Sequence, residues 1–359
     1  MMNFDSKLEM ITLDITYNCN LRCLHCFNYS GEHNHGLKEL SDEEILKICD
    51  DIIKLKPSGI CLCGGEPLLR KDLVYKVIEK ITKGTGYETK INMVTNGELL
   101  DLNTAKKLKE SGINAVQVSV DGCDSDTHDW MRNKGGIFDK AIKALEHLKQ
   151  QKVTTFVSCT PSKRNINQIE ELIELCSKLG VKQFRMQPLM LLGRAKQYLE
   201  NELLNSFEYK KIPILFEKIK TEQMYPNMEF EWGSPLDHLK KEVRERSYRR
   251  FTLSINAYGY IVASPYIPLY VGNVREHSLI DYYNNGLCEV FNLGFVGELC
   301  DMCRTIESMD ISNQNDFIPE NYIDKSIDFD LINYNKADYI NWDLDTCINT
   351  LREDGVVNV

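Results

Sequence analysis

The sequence has no apolar run approaching the roughly 20 residues that a membrane-spanning helix needs. Its N-terminus, MMNFDSKLEM, carries charge where a secretory signal carries its apolar stretch. There is no basic excess: 43 Lys and Arg stand against 53 Asp and Glu, and the net charge of −10 argues against nucleic acid as a partner. No low-complexity linker interrupts the 359 residues. The expectation is a cytoplasmic protein with neither membrane nor nucleic acid as its partner. One further absence raises a question. CNLRCLHC, residues 19–26, holds three cysteines with three and then two residues between them, and no fourth beside them.

What is present is a chain 43% hydrophobic, long enough for one large domain with an appendage or for two domains. Its thirteen cysteines are many for a reducing compartment, where clustered thiols point to metal or redox chemistry rather than disulfides. Eight of them (49, 61, 63, 123, 159, 176, 288 and 347) are scattered and read as small core residues. The clustered ones are Cys19, Cys23 and Cys26, and far downstream Cys300 and Cys303.

Residues 8–16 alternate apolar and polar positions, as a strand does, and lead straight into the cysteine loop. Ser41-Asp42-Glu43-Glu44 is a capping box opening a helix to about Leu55. Strands follow at 59–63, 89–95, 114–120, 153–159 and 182–187, with helices at 71–82, 103–111, 136–150 and 167–179. Strands joined by helical crossovers run parallel, with right-handed connections. The fold class is therefore α/β: a partial (β/α)6 TIM-like barrel over residues 1–200, with a smaller α+β extension over 201–359. In such barrels chemistry gathers at the C-terminal strand ends. The cysteine loop, Gly64–Pro67, Asn96, Ser119 and Asp121 all fall there. Residues 203–245 read as helical, 251–264 as a β-hairpin turned by Asn256 and Gly259, and the segment beyond 305 as an acidic tail.

Residues 19, 23 and 26 would share one helical face and could be core. Asn18, Asn20 and Arg22 make a poor helix start, however, and a strand precedes them. Zinc would take His25 as a fourth ligand, with Cys26 crowding it. An iron–sulfur cluster accepts thiolates, and three of them leave one iron open.

On these residues the chain resembles the radical S-adenosylmethionine superfamily, whose signature C-x3-C-x2-C stands here as Cys19, Cys23 and Cys26 in TYNCNLRCLHCF. The resemblance continues in Gly64-Gly65-Glu66-Pro67 and in SVDG, residues 119–122, and covers about residues 8–190. It implies a 4Fe-4S cluster held by the three cysteines. The open iron would chelate S-adenosyl-L-methionine, whose reductive cleavage gives a 5'-deoxyadenosyl radical that abstracts a substrate hydrogen. By the same resemblance Gly64, Gly65 and Glu66 meet the cofactor amino group and Ser119 the ribose. Arg132 meets the carboxylate, and His25 and Phe27 flank the adenine. Asn96 and Met186 complete the cofactor contacts. Cys63, just before Gly64, reads first as a strand packing residue and second as one facing the site.

Residues 251–304 resemble the SPASM extension of radical enzymes that mature peptides, in degenerate form. Ser264 stands at one expected cysteine position, 244–258 holds none, and Met309 occupies the next position after Cys300 and Cys303. The expectation is one cluster per chain. A reduced site of Cys300 and Cys303 with Cys288 or Cys347 is the other reading. A SPASM-like layout implies a ribosomally made peptide as substrate, modified by epimerisation, cross-linking or oxidation. The first cysteine lies only 19 residues in, which leaves no room ahead of the barrel for a leader-binding domain. Missing auxiliary clusters favour a redox-neutral reaction. The alternatives are a small-molecule radical enzyme of sugar, tetrapyrrole or antibiotic biosynthesis, and a non-catalytic iron–sulfur or zinc scaffold. The reductant would be a flavodoxin or ferredoxin. The sequence names no catalytic acid, base or hydrogen donor.

Overall fold

A computed structural model describes residues 7–33, 36–244, 250–306 and 327–354. The first part alternates strand and helix: β1 (Lys7–Thr16), α1 (Asp42–Leu55), β2 (Gly59–Gly64), α2 (Lys71–Gly84), β3 (Lys90–Thr95), α3 (Leu102–Ser111), β4 (Ala115–Ser119), α4 (Ser125–Arg132), α5 (Ile137–Gln150), β5 (Thr154–Cys159), α6 (Ile169–Leu179) and β6 (Gln183–Met186). Then come α7 (Arg194–Tyr198), α8 (Ser206–Thr221), β7 (Glu229–Trp232), α9 (Pro235–Arg244), β8 (Arg250–Ile255), β9 (Tyr260–Val262), β10 (Leu269–Asn273), α10 (Leu279–Asn284), α11 (Gly294–Met302), β11 (Ile327–Asp328), α12 (Lys336–Tyr339) and α13 (Leu344–Glu353).

The barrel strands bury alternate residues completely. Ile11, Leu13 and Ile15 of β1, Ile60 and Leu62 of β2, and Ile91 and Met93 of β3 face the helices with no exposure. The helices answer with single apolar stripes, such as Ile45, Ile48, Cys49 and Ile52 on α1. Each such side chain contributes about 1.5–3 kcal/mol of burial, and the matching of a two-residue period to a helical one fixes the layers. The capping box is present as expected: Glu44 N–H donates to Ser41 Oγ at 3.2 Å, and Ser41 N–H to the Glu44 carboxylate at 2.7 Å.

All eleven strands form one open sheet in the order β11-β10-β9-β8-β1-β2-β3-β4-β5-β6-β7. Strands β1 to β7 are parallel neighbours in chain order, and β8 adds parallel to β1 on the other side. The sheet thus runs without a break past residue 200. Three details differ from the sequence reading. Beyond 305, read as an acidic tail, strand β11 pairs with β10 and helices α12 and α13 form. The segment 203–245 contains strand β7, four residues long and flanked by charged helices, whose Phe230 packs on Phe216 at 5.3 Å between ring centres. Helix α4 is an added element, started by Asp124, which accepts from Thr127 N–H at 2.8 Å. The hairpin of β8 and β9 forms as expected, with Asn256 Oδ1 accepting from the N–H groups of Tyr258 and Tyr260 at 3.0 Å each. Met309 lies outside the described residues. Among the described residues no helix is long and apolar enough to cross a membrane.

Arg275 clamps the extension onto the barrel. Its Nε donates to Glu44 Oε1 at 2.6 Å, and its other nitrogens reach Glu44 Oε2 and the carbonyls of Lys38, Glu39 and Tyr258 at 3.0–3.1 Å. The hydrogen bond from Arg275 brings the Glu44 carboxyl down from 4.5 to about 2. A lowered carboxylate stabilises the fold fully above its ordinary value, and that contribution is lost as pH falls through the lowered one. Both side chains are partly exposed, so the gain is about 1 kcal/mol or less. Arg275→Ala is expected to lower the urea midpoint at pH 7, with the gap to wild type closing as pH falls from 4.5 toward 2. A gap constant over that range would contradict the clamp.

Candidate functional site

Strand β1 ends at Thr16 and releases the loop that carries Cys19, Cys23 and Cys26. The turn after β2 presses directly on it. Gly65 N–H donates to Thr16 O at 2.6 Å and Glu66 N–H to Asn18 O at 2.9 Å. A Cβ on Gly64 would sit 2.2 Å from Thr16 O, and one on Gly65 2.2 Å from Asn18 O. Gly64 also has φ +123°, a conformation that favours glycine. The two glycines are thus required for one backbone to approach another. Glu66 is fully buried and its carboxylate is occupied from the β3 side. Oε1 accepts from Thr95 Oγ1 at 2.8 Å and Leu68 N–H at 3.1 Å, and Oε2 from Asn96 N–H at 2.8 Å. Burial pushes the Glu66 carboxyl up against these bonds. Asn96 returns to the cysteine loop, donating to Asn20 Oδ1 at 2.9 Å. The exits of β1, β2 and β3 are thereby tied into one rim.

The three thiols share a pocket with Leu21 and Ile137. Burial pushes the Cys19 thiol up to about 12 and raises Cys23 as well, so both are neutral until a metal displaces their protons. A cubane takes one thiolate on each of three irons. Three neighbouring thiols from one loop, with no fourth among them, are the donor set such a cluster needs.

Below the thiols lies a buried ionic group. Arg132 Nη2 stands 2.7 Å from Asp121 Oδ2, with Nη1 3.8 Å from Cys23 Sγ. His25 Nε2 is 3.5 Å from the same carboxylate oxygen. His128 Nδ1 accepts from Asp121 N–H at 3.0 Å. Burial alone would raise the Asp121 carboxyl, yet the Arg132 charge beside it holds it below its ordinary value. Burial lowers His25 and His128 to about 4, so both imidazoles are neutral at pH 7. His25 Nδ1 and Arg132 Nε have no hydrogen-bond partner.

From the β6 side, Arg194 pins the loop. Its Nε donates to Cys23 O at 2.9 Å, its Nη atoms to Ser30 O at 3.3 Å, and Nη1 also meets Glu32. Its backbone N–H donates to Cys26 O at 3.0 Å. Gly193 allows this approach, since a Cβ there would lie 2.3 Å from Phe27 O.

The structure therefore gathers Cys19, Cys23, Cys26, His25, Phe27 and Arg132 around one loop, with Gly64, Gly65, Glu66 and Asn96 locked against it. Ser119 ends β4, half-buried. Met186 stands apart, wholly enclosed in the core at the end of β6. Cys63 differs from its sequence reading. It is half-buried, and its Sγ lies 3.3 Å from that of Cys61. The sequence reading passed over Asp121 within the SVDG motif as a charge partner, and it missed His128, Gly193 and Arg194. The first could be found from the motif. The others carry no local signal, because their partners lie across the fold. Cys300 and Cys303 are buried in the core of the extension, where burial pushes the Cys303 thiol up to about 12.

Asp121→Asn leaves the Arg132 charge buried without its counter-ion. The metal-free variant is expected to lose about 3 kcal/mol of stability, read from urea unfolding, and Arg132→Met in the same background should restore most of it. A single variant as stable as wild type would show that the pair does not hold this loop.

Residues 13–176 match the model of the Radical SAM superfamily. Over 301 residues the chain is 27% identical to an AdoMet-dependent heme synthase of Methanosarcina barkeri, which covers 79% of this chain and 83% of that protein. Over 310 residues it is 26% identical to the sporulation killing factor maturation protein SkfB of Bacillus subtilis, covering 83% of this chain and 71% of SkfB. Other curated relatives are covered over only about half their length. The fold matches Streptococcus suis SuiB bound to precursor peptide SuiA with a TM-score of 0.60 and 18% identity, over 77% of this chain and 65% of SuiB. Residues 13–176 are thus a Radical SAM domain, the domain of enzymes whose cofactors are a 4Fe-4S cluster and S-adenosylmethionine.

Proposed function

We propose that this enzyme, working in the cytoplasm with a flavodoxin or ferredoxin as reductant, abstracts a hydrogen atom from a ribosomally made peptide. Cys19, Cys23 and Cys26 hold the cluster. When bound, cluster and S-adenosylmethionine supply a one-electron bond cleavage that yields a hydrogen-abstracting carbon radical. The residues of the rim bind and orient. The backbone of Gly64 to Glu66, beside Asn96, faces the cofactor amino group. Arg132 takes the carboxylate through donors that Asp121 leaves over, its Nε being free of any hydrogen bond. Ser119 meets the ribose, and His25 and Phe27 flank the adenine.

The observation that carries the peptide reading is the polarity of the barrel interior. Residues that alternate with the fully buried ones include Asp14, Cys61, Cys63, Gln117, Ser119 and Arg185, all half-buried. Such a chamber offers hydrogen bonds to a peptide backbone and its side chains. SkfB, a maturation protein similar along 83% of this chain, agrees with the reading. A redox-neutral outcome, epimerisation above all, accords with an extension in which Cys300 and Cys303 are the only close-spaced cysteine pair. The second reading, a tetrapyrrole substrate, is favoured by the match to the heme synthase over 83% of that protein's length.

The test is anaerobic reconstitution followed by mass spectrometry of 5'-deoxyadenosine, with either a short peptide, sought among the open reading frames flanking this gene, or iron-coproporphyrin III added. The peptide is expected to raise cofactor cleavage several-fold and to change in mass or stereochemistry. Stimulation by the porphyrin alone would overturn the peptide reading. Replacing Cys19, Cys23 and Cys26 with Ala should abolish both iron binding and cleavage. Cleavage that persisted in that triple variant would overturn the cluster assignment.

A further inference from the structure

The barrel interior holds a second pair of thiols that the cluster does not use. Cys61 and Cys63 sit two apart on β2, so both project to the same face of the sheet. Their neighbours Ile60 and Leu62 face the helices and are fully buried. Arg185 on β6 likewise alternates with the fully buried Phe184 and Met186 and is half-buried, so it faces the same inner side of the sheet. Other cysteines differ: Cys49, Cys159, Cys176 and Cys347 are enclosed in apolar core. The Sγ atoms of Cys61 and Cys63 are 3.3 Å apart, one thiol donating to the other. Asp14 is the register partner of Cys63 on β1. Cys63 itself stands at the outlet of β2, one residue before the Gly64–Pro67 turn that forms the cofactor rim. A thiol is suited to quenching carbon radicals because its S–H bond is weaker than most C–H bonds.

We propose that Cys63, supported by Cys61, is the hydrogen-atom donor of this enzyme, returning hydrogen to the substrate carbon radical. This rests on the radical function proposed above. In the step the S–H bond of Cys63 breaks and a substrate C–H bond forms, leaving a thiyl radical. One electron and one proton then restore the thiol, the electron coming from a one-electron reductant of the flavodoxin or ferredoxin class. One substrate C–H bond has been broken and one made, so the substrate suffers no net oxidation. Donation requires the protonated thiol. Burial and the contact with Cys61 raise Cys63 well above its ordinary value, which keeps it protonated at neutral pH. Cys61 lies one layer deeper and holds Cys63 in place through the S–H contact.

Two measurements test the assignment. The first uses the reconstituted enzyme with S-adenosylmethionine and dithionite in D2O, with no substrate added. In D2O the thiol becomes S–D, and a radical formed beside it takes deuterium. The readout is the deuterated fraction of the 5'-deoxyadenosine formed, not its amount. Cys63→Ser and Cys63→Ala are expected to lower that fraction at least fivefold, and Cys123→Ser to leave it at the wild-type value. The second is the same readout for Cys61→Ser, which is expected to lie between the wild type and the Cys63 variants. A deuterium fraction unchanged in the Cys63 variants overturns the donor assignment alone. A wild-type protein that forms no 5'-deoxyadenosine overturns the function beneath it, and the donor assignment falls with it.

Discussion

The structure depends on a contact between two backbones. Where β2 leaves the sheet, its chain lies against the chain leaving β1, close enough that a single Cβ at Gly64 or Gly65 would collide with a carbonyl oxygen. Glu66 fastens the same turn to the exit of β3 through two hydrogen bonds to its fully buried carboxylate, which also accepts from Leu68 N–H within the turn. Long flexible loops would ordinarily carry a metal-binding segment with high conformational entropy. Here the cysteine loop is fixed at its root before any metal arrives. Arg194 fixes its far side from the end of β6, so the thiols are presented by a loop held at both ends.

A consequence is that the charge under the loop is also structural. Asp121 and Arg132 are both buried, and such a pair is costly to break from either side. It is positioned by the ends of β4 and α4, elements distant in sequence from the cysteines. Neutral His25 and His128 complete a group in which only two members are ionised at pH 7. The cysteine loop therefore adjoins fixed positive groups, Arg132 and Arg194, each matched by a carboxylate, Asp121 and Glu32.

The barrel was legible in the sequence because its signals are local. Two-residue alternation marks β1, three- and four-residue apolar spacing marks α5, and the capping box at Ser41 marks the start of α1. The cysteine triplet, Gly64–Pro67 and Ser119–Gly122 were likewise local, and each lies at a strand end. What escaped was whatever depends on partners far along the chain. Strand β7 is four residues with two charges, and its only claim to be a strand is the free edge of β6. Arg194 looks like any arginine until the carbonyls of Cys23 and Ser30 are placed around it. Cys63 looked like packing because a strand alone does not say which of its faces is the helix side. The extension's attachment to β1 was invisible for the same reason, since parallel pairing over more than 230 residues leaves no pattern in either strand.

That attachment shapes how the protein can change. The sheet ends at β7 on one side, while on the other it continues through β1 into the extension. Gln187, just past β6, donates to the Tyr266 hydroxyl of the extension at 2.9 Å and bridges the side of the barrel left open. The frame of this doorway is therefore built from segments that supply none of the three clustered thiols. Substitutions around Tyr266 or α9 can widen or narrow the doorway while the thiol loop stays as it is. Selectivity and reactivity are thus separable traits in this architecture, and a lineage can acquire a new guest while keeping its chemistry.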